Sequence, residues 1–323
     1  MNKKRITLAA LAVFIIVLVA GVIFFDGNLI PKSSAAQVSC LDGEGPLLPL
    51  SGPTEIYTNT LMADFTRVDA SQLIVDGGRQ SPVRFGGGEQ ICWHGGRIIG
   101  GYPPDASWDT THSTGGIIAM DNTPNVIIEN VYVESIGDGI RSRQGQDSGQ
   151  AGVNNTFTVR GVWLKDIRDD CIESDWQNGA VISDSLLDGC YVMFAARKRK
   201  ATDNIDGSNN VWEIRNVLGY LHDQIGVNEG PGPGHGMFFK WDDTGPKIEI
   251  HDSIFRVDSD NSTSKNEFNF YPEKMVDCSN NTMVWLGEGP FPAPLPSCFT
   301  LTTDVSVWDD AVAEWKAAHG YAE

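Results

Sequence analysis

Positive charge is scarce in this chain: 24 lysines and arginines stand against 42 aspartates and glutamates, a formal net charge of −18. Such a balance repels nucleic acid and anionic lipid headgroups, so neither is an expected partner. It also gives no bulk attraction to an acidic polysaccharide unless calcium mediates the contact. No two of the 6 cysteines are spaced C-x-x-C, which argues against a metal site and for disulfides formed in an oxidising compartment. Helical periodicity is missing from residues 40 to 300. The "AAQVS" before Cys40 lacks the leucine-small-small pattern of a lipidated cysteine, so no lipid anchor is expected.

What is present begins with "NKKR" at residues 2–5, followed by residues 6–25, "ITLAALAVFIIVLVAGVIFF", uncharged and long enough to cross a bilayer as a helix. The competing reading is a cleaved signal peptide, for which "SSAAQ" at 33–37 offers small residues. Residues 1–25 are thus read as a signal-anchor, 26–39 as a tether, 40–300 as a β domain outside the cytoplasm and 301–323 as a C-terminal capping helix. The 41% apolar content of the chain is that of a folded protein. Of the 15 possible disulfide connectivities, Cys278 with Cys298 and Cys40 with Cys92 are the first expectations. Cys171 and Cys190 either join neighbouring layers or are small core residues.

One pattern returns six times: "WHGGRIIGG" (93–101), "IIENVYVESI" (127–136), "TVRGVWLKDI" (158–167), "VISDSLLDGC" (181–190), "EIRNVLGYLH" (213–222) and "EIHDSIFRVD" (249–258). Each copy is a short strand, a bend and a second short strand. The bend is held by Gly95, Asn130, Gly161, Asp184, Asn216 and Asp252, spaced 35, 31, 23, 32 and 36 residues apart. Only residues that tolerate a left-handed backbone occur there. A third strand follows in "DGIRSR" (138–143), "DCIESD" (170–175), "YVMFAAR" (191–197) and "GMFFKW" (236–241).

Three short strands per repeat describe one turn of a parallel β-solenoid, with Ile128, Val159, Ile182, Ile214 and Ile250 as one inward ladder. Inserts at 144–156, 198–210 and 222–235 leave the column and wall a groove. In "TTDVSVWDDAVAEWKAAHG", Val305, Trp308, Val312 and Trp315 share a helical stripe, with Ser306 as N-cap and Gly320 as stop, predicting a helix over the last coil.

The sequence resembles the right-handed parallel β-helix superfamily that includes pectate lyases and polygalacturonases, over roughly residues 60–290. "GDGI" (137–140), "RDDCI" (168–172) and "GHGMFF" (234–239) are similar to the Asn-Thr-Asp, Asp-Asp and Gly-His-Gly motifs of polygalacturonase-type hydrolases. The resemblance implies an all-β, right-handed single-stranded parallel β-helix that cleaves a polysaccharide by hydrolysis. Asp138 and one of Asp169 and Asp170 would activate water, the other would be the acid and His235 would tune it. Inversion needs carboxyl groups about 6.5–9.5 Å apart. Here the first motif lacks its Asn-Thr, no Arg-Ile-Lys follows the histidine, and the "YVMFAAR" coil sets His235 about 9–10 Å from the aspartates.

The outward side of the third strand carries Arg141, Arg143, Glu173, Asp175, Arg197 and Lys240, expected with Trp241 to bind substrate. Trp163, Trp176 and Trp212 either stack on sugars or pack against loops. A calcium lyase is the second enzymatic reading, with aspartates holding Ca²⁺ and Arg141 or Arg143 as base; otherwise no cofactor is expected. A non-catalytic envelope scaffold is the alternative, in which "RDDCIESDW" serves only its turn. "KRK" (198–200) reads as a solvated loop, and "NNT" (154–156) and "NST" (261–263) match glycosylation acceptors.

Overall fold

The computed structural model describes residues 38–50, 57–76, 80–120, 123–143, 155–198, 204–225, 233–261 and 268–321. The apolar segment 6–25, residues 26–37 of the tether and residues 144–154, 199–203 and 226–232 of the three inserts lie outside them, as do parts of "KRK", "NNT" and "NST". Among the described residues no helix is long and apolar enough to cross a membrane.

Parallel strands wind into a curled sheet, an arrangement compatible with a β-solenoid. The first strands stack in the register Trp93, Ile128, Val159, Ile182, Ile214, Ile250. All six side chains are buried, as the alternation of apolar and polar residues requires. A second ladder runs through Val75, Ile98, Val133, Leu164, Leu187, Gly219, Phe255 and Met283. The third runs through Ile117, Ile140, Ile172, Phe194 and Phe239. These inward ladders meet in one continuous apolar core.

Between the first and second strands the chain turns sharply at Gly95, Asn130, Gly161, Asp184, Asn216 and Asp252, each at a φ between +47° and +79°. The restriction to Gly, Asn and Asp thus has its physical cause, since a Cβ crowds the following carbonyl in this conformation. Disulfides join Cys40 to Cys92, Cys171 to Cys190 and Cys278 to Cys298. Three bridges are those of a chain folded in an oxidising, extracytoplasmic environment.

The C-terminal helix, Ser306–Ala318, differs from expectation in two ways. Asp304, not Ser306, makes the N-terminal contacts, accepting from Ser306 N at 3.0 Å and Ser306 Oγ at 2.7 Å. The helix also reaches beyond the last coil. Trp308, Ala311 and Trp315 pack on Leu186, Leu218, Ile254 and Val284, outward-facing residues of successive coils. It is a strap along the flank, because those four apolar positions need a cover that the column's own core cannot supply.

Candidate carboxylate site

The strand Asp138–Ser142 pairs with the segment around Asp170, Ile140 lying opposite Ile172, so Asp138 and Asp170 are vertical neighbours. Pairing with the next strand slips between Ile167 and Asp170. Such a bulge breaks the strict alternation and re-aims side chains. Asp169 and Asp170, which a regular strand would point to opposite faces, consequently converge with Asp138. One oxygen from each lies within 4.8 Å of the other two. All three are buried, with exposures of 2% for Asp138, 8% for Asp169 and 1% for Asp170.

Arg141 spreads its guanidinium over three carboxylates: Nη1 lies 2.9 Å from Asp138 Oδ2, Nε 2.7 Å from Glu173 Oε2 and Nη2 3.0 Å from Asp175 Oδ2. Lys240, one strand beyond Ala195, reaches over it to place Nζ 2.8 Å from Asp170 Oδ2. Asp138, Asp169, Asp170, Glu173 and Asp175 still outnumber these two cations. Burial is the largest influence on Asp138 and, with the charge of Asp170, raises its carboxyl to about 6 against the pull of Arg141. Burial, then Asp170 and Asp138, raises Asp169 well above the ordinary carboxylate range; burial and Asp138 do the same to Glu173. The cations respond in the opposite sense. Burial works against the charge on Arg141, but Glu173, Asp138 and Asp175 outweigh it, and its proton is held more tightly than usual. Lys240 is likewise raised by Asp170 and Asp169 against burial. Asp170 Oδ1 is buried and has no hydrogen-bond partner.

The spacing expected for inversion is not found, since these oxygens approach more closely than the gap that holds a water between two carboxyl groups. His235 is not brought to the cluster. The strand that follows it, Phe239–Trp241, lies two ladder steps from that of Asp170, and the histidine ring nitrogens lie 3.1 Å from Gly236 O and 3.1 Å from Ser259 O, with the ring edge-on to Phe268. Glu173, Asp175, Arg141 and Lys240 do gather round the aspartates, but as an internal ion-pair network and not as cations waiting for substrate. Arg143 lies just past its strand, half-buried, and Arg197 is exposed. Trp241 faces inward, its Nε1 donating to Pro246 O at 2.8 Å, so it offers no sugar platform. Trp212 is core and Trp176 packs on Ile205. Trp163 packs edge-on with Tyr132 and Tyr321, under Lys316.

Arg168 is the residue that sequence reasoning missed. Buried beside Asp169, it donates from Nη1 to Pro104 O and from Nη2 to Ala106 O and Ile225 O, all at 2.6 Å. It ties two loops from opposite sides together next to the carboxylates. The only signal was its place at the head of "RDDCI".

No protein-family profile matches this chain, and none of the curated proteins or solved structures is significantly similar to it.

Proposed function

We propose that this chain is an extracytoplasmic right-handed parallel β-helix that cleaves a polysaccharide by hydrolysis, with Asp138, Asp169 and Asp170 as its acid–base centre. The observation that carries the reading is the convergence of three buried carboxylates within 4.8 Å, two of them holding protons more tightly than usual and the third paired with Lys240. Environments that push neighbouring carboxyl groups apart in proton affinity separate an acid from its partner. Asp169, the most exposed of the three, serves as the acid that protonates the leaving oxygen. Asp170, whose Oδ2 accepts from Lys240 Nζ at 2.8 Å, is its partner. Their close approach fits the shorter of the two glycosidase geometries, about 5–5.5 Å between carboxyl groups, in which the second carboxylate attacks the sugar and configuration is retained. With Arg141 and Lys240 spent on internal carboxylates, a glycan free of uronate groups suits the site better than a polyanion.

The reading is tested by incubating the purified protein with a panel of neutral and uronate polysaccharides. At least one is expected to be cleaved with retention at the anomeric carbon, and Asp169→Asn is expected to lower turnover by about 10²–10⁴-fold without unfolding the protein. No cleavage of any polymer by the wild type refutes it.

A second reading draws on the unpartnered Asp170 Oδ1. Hard carboxylate oxygens this close are suited to Ca²⁺, which Asp138, Asp169 and Asp170 would hold and which would supply positive charge for a lyase. Arg141, its proton tightened by three carboxylates, is a poor base for that chemistry. Turnover abolished by EDTA and restored by calcium favours this second reading; turnover indifferent to EDTA favours the first.

A further inference from the structure

A groove of about 670 Å³ lies away from the carboxylates, between the N-terminal segment Val38–Glu44 and the first-strand sheet. Its floor is two vertical ladders. Arg67, Cys92, Ile127 and Thr158 are in register, and Phe65, Gln90, Asn125 and Thr156 stand two residues before each of them. The volume is in the range of small-molecule sites.

The exposed Phe65 ring at the end of the second ladder is the informative feature. Phe65, Gln90 and Asn125 all have left-handed backbones, at φ 60°, 52° and 57°. At the bend between the first and second strands the chain meets the same demand with Gly, Asn and Asp alone. Here it spends a phenylalanine and a glutamine, and leaves the phenylalanine ring 42% exposed. A bulky side chain in this region is strained; Gln177 and Tyr271 take the same conformation elsewhere but are not exposed, so it is the open ring of Phe65 that sets this bend apart. The lining below Phe65 is amide and hydroxyl, from Gln90, Asn125, Thr156 and Thr158. Arg67 donates from Nη1 to Leu41 O and from Nη2 to Gly45 O, but its Nε is buried without a hydrogen-bond partner. Asp42 and Glu44 stand exposed at the rim and disfavour an anion.

An exposed aromatic face, neutral hydrogen-bonding groups on a repeat of about 4.8 Å and an acidic rim match an uncharged chain of pyranose rings. We infer that this groove is a second, non-catalytic site that binds a short stretch of neutral glycan, with one ring stacked on Phe65 and its neighbours bonded along Gln90, Asn125, Thr156 and Thr158. It goes beyond the hydrolytic reading, because binding here needs none of the aspartates.

The test is calorimetric titration of the full chain with the hexasaccharides of glucose, mannose and galactose, and with hexagalacturonate as the charged control. A neutral hexasaccharide is expected to bind more tightly than hexagalacturonate. Phe65→Asn, which puts at this bend a residue used at the other, is expected to weaken that binding about tenfold while melting no lower than wild type. Thr158→Val removes one hydroxyl without altering the bend and is expected to weaken binding in the same direction. Binding must persist in the double variant Asp169→Asn with Asp170→Asn; its loss there would assign the sugar to the carboxylate site and overturn the inference. So would the absence of binding by every neutral hexasaccharide, equal binding by Phe65→Asn, or a fall in melting temperature that accompanies the loss of binding.

Discussion

Asp138 and Asp169 pay for their convergence in stability. Each carboxyl is raised in the folded protein, Asp138 from 3.8 to about 6, so the folded state binds protons that the unfolded chain releases. The contribution therefore favours folding fully below about pH 4 and is lost as pH rises through the folded value, a change on the order of 3 kcal/mol for Asp138 alone. Denaturant midpoints are expected to fall between about pH 5 and pH 8, and Asp169→Asn is expected to add about 2 kcal/mol near pH 8 and less near pH 4. A variant no more stable than wild type at the higher pH would show that the cluster is not under charge strain. Glu129 behaves in the opposite sense. Burial works against its charge, but His94, Ser39 and Arg160 more than offset that and lower it to about 2. Its contribution is present above about pH 4.5 and lost as pH falls toward 2. The acid run was legible in "RDDCIESDW" because three aspartates and a glutamate crowd nine positions. Their common direction was not, since it depends on a bulge that no residue type announces. Arg168 was silent for a similar reason: its partners are backbone carbonyls, which have no sequence signature. Arg168→Met is expected to cost about 2–4 kcal/mol, leaving three carbonyls without a donor, and to speed amide exchange in residues 105–107 and 222–225.

At the scale of elements, the bend residues and the inward ladder could be read directly, because left-handed backbone and burial each restrict residue type. The C-terminal helix was legible as a helix, from the spacing of Trp308, Val312 and Trp315, but not in its docking place. Leu186, Leu218, Ile254 and Val284 alternate with core residues, and a period of two does not say which outward faces another element covers. Trp315→Ala is expected to cost about 3–5 kcal/mol by opening that interface. Its indole also donates to Asp184 O at 3.1 Å, next to the His319 Nε2 contact with Asp184 Oδ2 at 3.3 Å. Burial works against the charge on His319, but Asp184 and the Trp315 carbonyl together raise it above its ordinary value. The latch therefore stabilises fully below about pH 6.5 and weakens as pH rises through the folded value. Amide protection across residues 306–318 should decline over that interval in wild type and stay flat in His319→Gln. Equal profiles for the two proteins would remove His319 from the latch.

Stacking in register brings distant parts of the chain together: Lys240 meets Asp170 across 70 residues, and Arg160 meets Val38 O across 122. Once the repeat had been recognised, the vertical neighbours could be named, which is why Asp138 was set beside Asp169 or Asp170 from the sequence, with the choice between the two left open; the long-range ion pairs also needed side-chain reach, and reach is not periodic. The same stacking concentrates charge. A chain with a formal net charge of −18 wound into a column keeps its carboxylates closer together than an expanded chain does, so folding works against self-repulsion. Repulsion between exposed charges is felt over about 30 Å at 0.01 M salt and about 8 Å at 0.15 M. Raising sodium chloride across that range is expected to raise the melting temperature by a few degrees, most steeply at the dilute end. The buried network of Arg141, Lys240 and their carboxylates is screened far less, so Asp169→Asn should shift the whole curve upward without changing its slope. If salt lowers the melting temperature instead, specific ion pairs outweigh the net charge in holding the column together.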